Sequence, residues 1–292
     1  ADVVAPLPPG GSIPTQLVVA DLATPETARR LVADRPDLIF HLAAIVSGEA
    51  EADFDKGYAI NLDGTRHLFD AIRLASQTAP YCPRLVFTSS IAVFGEPLPE
   101  IIGDSQEHTP LTSYGTQKAI GELLLADYSR RGFFDGIGIR LPTIAVRPGK
   151  PNKAASGFFS GIIREPLAGL EAVLPVADTV RHWFASPRAA VGFLLHAAAL
   201  DTQLLGHRRN LSMPGLAATV GEQIAALERV AGAGAVALIR RERDATIEAI
   251  VAGWPKAFAA ARALALGFVG DASFDEIIAI HIQDELGGRP GV

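Results

Sequence analysis

Short, nearly continuous apolar runs punctuate this chain: Leu38-Ile39-Phe40-His41-Leu42-Ala43-Ala44, Arg84 to Phe87, and Gly136-Ile137-Gly138-Ile139-Arg140-Leu141. Runs of that length predict strands buried on both faces, as in a parallel sheet. Between them lie longer stretches with helical spacing. The stretch from about Ala52 to Ala75 carries Phe54, Tyr58, Ile60, Leu68, Phe69 and Ile72, which cover more than one helix face. The stretch after Tyr114 is apolar nearly all round. A helix apolar on two faces needs two packing partners. Buried strands alternating with helices predict an α/β chain with a Rossmann-like doubly wound parallel sheet. Gln16 to Ala20 predicts one more short buried strand, and Pro25 sits where a helix begins and runs towards Ala33.

The pattern changes after Arg147-Pro148-Gly149-Lys150-Pro151-Asn152-Lys153, where elements become short and irregular. A smaller α+β substrate lobe is expected over 144–180 and 210–292, with 1–143 and about 181–209 forming the sheet-bearing domain. Thr219 with Glu222 and Ser273 with Glu276 have capping-box spacing. The segment beyond Leu211 reads as core helices with no legible chemistry.

The opening Ala1-Asp2-Val3-Val4-Ala5-Pro6 reads as the end of a second strand. A doubly wound domain begins with a strand, a Gly-rich turn and a helix. Neither G-x-G-x-x-G nor G-x-x-G-x-x-G occurs. The first strand and its glycine-rich turn are therefore expected to be absent from this chain.

Composition narrows the class. With 49% apolar and 20% charged residues, the 292-residue chain is a globular protein. A net charge of −6 and no lysine run argue against nucleic acid as a partner. The single cysteine, Cys82, permits no internal disulfide, and no metal-ligand spacing occurs, which fits the cytoplasm. The apolar run Val191 to Leu200 is interrupted by His196 and too short to span a bilayer.

The chemistry concentrates in two stretches. The strand from Arg84 runs out into Thr88-Ser89-Ser90, and Thr112-Ser113-Tyr114 opens a helix with Lys118 four residues after Tyr114. That spacing puts phenol and ammonium on one helix face. A phenol beside an ammonium, facing a hydroxyl at a strand tip, is a proton-transfer arrangement. A free phenol has a pKa of about 10, so a base near neutrality needs a drop of about 3 units, roughly 4 kcal/mol. One exposed ammonium contributes only about 1 kcal/mol. The site should therefore be closed and hold further positive charge. Arg181, beside Trp183, and Arg188 are further arginines suited to holding a carboxylate.

Together these motifs resemble the extended short-chain dehydrogenase/reductase family, its nucleoside-diphosphate-sugar epimerase/dehydratase group. Ser90-Ile91-Ala92-Val93-Phe94-Gly95 matches that family's S-x-x-V-[YF]-G, and Tyr114 to Lys118 matches its Tyr-x-x-x-Lys. His41-Leu42-Ala43-Ala44 matches H-[LF]-A-[AG], and Asn61 to Thr65 resembles N-x-x-G-T. The resemblance implies Ser90, Tyr114 and Lys118 as catalytic residues and NAD as cofactor. It implies Asp2 at the adenosine ribose, Asp21 and Leu22 at the adenine, and Leu42, Ala43 and Ala44 against the cofactor. Asn61, Pro142 and Thr143 complete the cofactor set, with Tyr114 and Lys118 shared. Thr143 departs from the family's R-x-x-N, whose Asn helps bind a sugar-nucleotide diphosphate; this counts against such a substrate. The runs R-P-G-K-P-N, R-E-P-L-A-G and R-H-W-x-x-S-P-R resemble the branch that oxidises D-erythronate at its 2-hydroxyl. Ser47, Ser90, Asn152, Arg181 and Trp183 are then expected around the substrate, with Ser156 and Arg164 shaping the pocket. The family also implies a homodimer through helices 52–75 and 114–131. Two other functions compete: a nucleotide-sugar epimerase or dehydratase, and a catalytically silent dinucleotide-binding protein.

Overall fold

The structure is a computed structural model that describes residues 1–8, 10, 13–149 and 155–288. The strands are β1 (Leu38–His41), β2 (Arg84–Ser90), β3 (Asp135–Leu141), β4 (Thr143–Ile144), β5 (Ala172–Leu174), β6 (Arg181–Ala185), β7 (Asn210–Ser212), β8 (Leu216–Thr219) and β9 (Ile239–Arg241). The helices used below are α1 (Pro25–Val32), α2 (Gly64–Ser76), α3 (Ser113–Arg130), α4 (Gly157–Leu167), α5 (Pro187–Ala199), α6 (Val220–Ala231) and α7 (Phe274–Glu285).

The apolar runs form the parallel sheet they predict. Its order is β1-β2-β3-β7, with Leu38 opposite Arg84 and Arg84 opposite Asp135. Leu85, Val86, Phe87, Ile137 and Ile139 are buried because both faces are covered. On one face, Ala28 and Val32 of α1, Phe69 and Ile72 of α2, and Leu125 of α3 pack with Leu85 and Phe87. On the other, Phe193 and Ala197 of α5 pack with Val86, Ile137 and Ile139.

A second core lies beyond β3. There β4, β6 and β8 form a small mixed sheet, and β5 pairs with β9. Phe159 and Ile163 of α4, Ile224 and Leu227 of α6, and Ile277 and Ile278 of α7 close around it. The expected boundaries at 181–209 and 210–292 cut across these sheets. β6 joins the small sheet and β7 the parallel one, because each strand follows its hydrogen-bonding edge rather than its position in sequence.

Three local expectations also change. The stretch Gln16 to Ala20 is not a buried strand. It makes one parallel bridge, Asp2 with Val19, and Val19 is 58% exposed. The stretch 52–75 is not one helix. A short turn over Phe54–Gly57 and a π-helical turn over Tyr58–Asp63 precede α2. The outward face of α2 is polar rather than apolar, with Arg66 and Arg73 paired to Asp70.

Candidate active site

At the carboxyl ends of β1, β2 and β3, where an open parallel sheet presents its ligands, lies a cavity of ≈ 350 Å³. Ser90, Tyr114 and Lys118 all line it. Ser90 ends β2; its Oγ accepts the Ala92 N–H at 3.1 Å, and it lines the same cavity as Tyr114. Thr112 caps α3 by accepting the Gly115 N–H at 3.0 Å, which starts the helix one residue before Tyr114. Lys118, one turn on, donates to the Thr88 carbonyl at 2.8 Å and sits 5.7 Å from the Tyr114 ring centre.

Burial dominates the electrostatics. It pushes the Tyr114 phenol up to about 12, against the pull of the Ser90 hydroxyl. It brings Lys118 down to about 8, against the pull of Glu122. Both groups are therefore protonated at neutral pH. A phenol in this state gives up its proton only when more positive charge enters the cavity.

Behind the site, α3 is tied to β3 by a buried two-point pair. Arg140 Nε donates to Glu122 Oε1 at 2.8 Å and Arg140 Nη2 to Oε2 at 2.7 Å, while Ser89 donates to Oε1 at 2.5 Å. Burial would raise Glu122, but the hydrogen bonds from Arg140 and His108 outweigh it and hold the carboxyl below its ordinary value. Asn61 braces the loop after β1: it accepts from Ile45 N at 2.8 Å and donates to Gln117 of α3 at 2.8 Å. Its role is to support the wall rather than to line it.

Of the other expected residues, Leu42, Ala44, Ser47, Pro142, Thr143 and Ser156 line the cavity. Ala43, Asp2, Asp21 and Leu22 do not. Asp2 accepts from Val4 N and Asp21 from Ala23 N, each closing a local turn. Leu22 packs on Gly64 of α2. Asn152 lies outside the described residues.

The expected pair Arg181 and Trp183 is a correction. Residues of a strand alternate between faces, and here His182 faces the cavity. Arg181 reaches Glu222 at 3.4 Å, and Trp183 donates to the Met213 carbonyl at 3.2 Å from within a separate apolar cluster. Arg188 pairs with Asp284 on α7, and Arg164 pairs with Glu165. His182 Nδ1 lies 2.8 Å from the Pro255 carbonyl, which can only accept, so Nδ1 carries the proton. Nε2 is then bare and takes the Thr143 hydroxyl proton at 2.7 Å. Thr143 is left with acceptor lone pairs for a ligand.

Sequence reasoning missed Arg147, His182 and Trp254 on the cavity wall. Strand alternation separates His182 from Arg181 and Trp183 but does not say which face meets the cavity. Gly253-Trp254-Pro255 carries helix-breaking residues that could have marked a loop.

The NAD dependent epimerase/dehydratase family model matches residues 3–208. The chain belongs to that family. NAD is the cofactor of this chain, and the residues present fit it. Lys118 spends one N–H on Thr88, leaving the others for a ribose, and the small Ala44 leaves backbone accessible at the β1 tip. Among similar proteins is a D-erythronate dehydrogenase of Cupriavidus necator, 51% identical over 92% of this chain and 82% of the relative. A D-erythronate dehydrogenase of Haemophilus influenzae is 43% identical over 98% of this chain and 89% of the relative. The solved structure of a nucleoside-diphosphate-sugar epimerase from Agrobacterium tumefaciens superposes with TM-score 0.95 at 66% identity, over 98% of this chain and 84% of that one. An L-threonine dehydrogenase of Clostridium difficile shares the fold at TM-score 0.80 and 19% identity, covering 91% of this chain and 82% of that one.

Proposed function

We propose that this NAD-dependent oxidoreductase oxidises the 2-hydroxyl of a small sugar acid of the D-erythronate type. The observation that carries the reading is the convergence of a hydroxyl, a phenol and an ammonium on one wall of a cavity sized for a small molecule. Ser90 donates to the substrate oxygen and holds it against the phenol. Tyr114 accepts the hydroxyl proton of the substrate as a phenolate, its own proton having left to solvent once added positive charge in the filled cavity lowers the phenol. Lys118 holds the cofactor ribose and keeps positive charge beside the phenol. When bound, NAD would supply the acceptor for the hydride, hydrogen and electron pair together, that leaves the carbinol carbon. Asp2 at the ribose and Asp21 and Leu22 at the adenine remain part of this reading, as does Asn152 near the substrate.

Likeness to the A. tumefaciens nucleoside-diphosphate-sugar epimerase supports a second reading, epimerisation or dehydration of a nucleotide sugar with no net NAD turnover. Steady NADH production from D-erythronate and none from UDP-sugars is the outcome expected here. Tyr114→Phe should lower that rate by roughly 10²–10⁴-fold while leaving NAD affinity, read by calorimetry, largely intact. A Tyr114→Phe enzyme at full rate would refute the role.

The proposal includes a cytoplasmic homodimer through helices 52–75 and 114–131. Phe54, 58% exposed, and Leu123, 67% exposed, support an apolar contact there. The lone Cys82 supports a reducing compartment, which cell fractionation tests.

A further inference from the structure

We infer that Arg147 recognises the carboxylate of the substrate, holding the acid end of a small hydroxy acid in a two-point guanidinium–carboxylate pair. The inference rests on the hydroxy-acid reading above. The chain carries a net −6, yet among the described residues the cavity is lined by Lys118 and Arg147 and by no aspartate or glutamate. A cavity with positive walls and no counter-charge of its own selects an anion.

Four arginines off the cavity wall are committed elsewhere. Arg140 is held by Glu122, Arg164 by Glu165 at 2.5 Å, Arg181 by Glu222 and Arg188 by Asp284. Lys118 is anchored to Thr88 beside the phenol. Among the described residues no carboxylate pairs with Arg147; the charged group acting on it is Arg164, which with burial disfavours its ionised form. An arriving carboxylate relieves both penalties at once.

Arg147 is also presented from a fixed backbone. Its N–H donates to Ser160 Oγ at 3.1 Å, and its carbonyl accepts from Arg164 Nη1 at 2.9 Å. Both partners stand on α4, so the second core fixes the backbone that carries the guanidinium, whereas β2 and α3 position the reacting groups. A substrate touching both is a short molecule with an acid at one end and a secondary alcohol close by. A planar guanidinium suits a carboxylate better than an ammonium would. It also takes a phosphate, so the pyrophosphate of NAD or of a nucleotide sugar is the rival source of the same chemistry.

The test uses the full chain with Arg147→Gln and Arg147→Lys. D-erythronate and its neutral amide are compared by steady-state kinetics and by calorimetric binding in the presence of NADH. Arg147→Gln should raise both KM and Kd for the acid by roughly 10- to 100-fold, and Arg147→Lys should recover part of the loss. The amide should bind weakly to every form, and the KM for NAD and the melting temperature should not move. An unchanged Kd for the acid in Arg147→Gln overturns the assignment. So does a parallel loss of NAD affinity, which would place the residue at a phosphate. A wild-type protein that neither binds nor oxidises D-erythronate overturns the proposed function, and this inference with it. A wild-type protein that does both and is matched by Arg147→Gln overturns only the role of Arg147.

Discussion

Two buried histidines carry consequences for pH. His41 Nε2 donates to Thr65 Oγ1 at 2.8 Å, since Thr65 already donates its own proton to the Asn61 carbonyl. Burial and then the Lys118 charge bring His41 down to about 3, and burial brings His182 down to about 4, against the Pro255 hydrogen bond. Unfolded, both would titrate near 6.5. The unfolded chain therefore binds more protons across that window, and the stability these histidines contribute should be full above pH 6.5 and be lost as pH falls towards 4 and then 3. Glutamate carboxyls titrate near 4.5, so a decline already under way at about pH 5.5 is the histidine signature. Urea midpoints measured between neutrality and that pH would show it; a flat series would contradict it. His41 is legible in the sequence as a packed strand residue. His182 is not, because period-2 alternation defines two faces of β6 without saying which one meets the cavity.

At the scale of elements, Gly115 sets how closely α3 approaches the turn after β2. A Cβ there would overlap the Ala92 carbonyl. The close approach brings Tyr114 to Ser90. Gly115→Ala should therefore push the start of α3 outward, destabilise the fold by about 1–3 kcal/mol, and lower kcat well beyond any change in KM for NAD. Stability from denaturant titration and kcat from NADH production check the two parts separately. Wild-type values in both would show that the contact yields freely. The helix start itself is legible in Thr112-Ser113-Tyr114. The close packing is not, because it depends on a carbonyl more than 20 residues upstream.

For the whole molecule, two cores meet at the cavity, and each supplies one kind of chemistry. The parallel sheet and its helices carry the proton-transfer group, and the second core carries Arg147, His182 and Trp254. The proposed dimer belongs to this scale. Sedimentation at micromolar concentration should give twice the monomer mass, and Leu123→Asp should shift it towards one. A wild-type monomer would remove the idea. Among the described residues no strand pairs with the outer edge of β1, and Leu38 is 41% exposed there. No helix among the described residues is long and apolar enough to cross a membrane, and no metal-binding cluster occurs among them.

What the sequence by itself determined is what short-range geometry can encode. Apolar runs specified β1, β2 and β3 of the parallel sheet, though not β7, and a four-residue spacing put phenol and ammonium on one helix face. Tertiary structure alone decided which cations remain available and which are spent on carboxylates. It brought Trp254 and Pro255 to the same cavity as Ser90. It turned His182 inward and Arg181 outward. Those outcomes depend on the partners each side chain meets after the two cores pack, and partners far apart along the chain leave no local pattern in it.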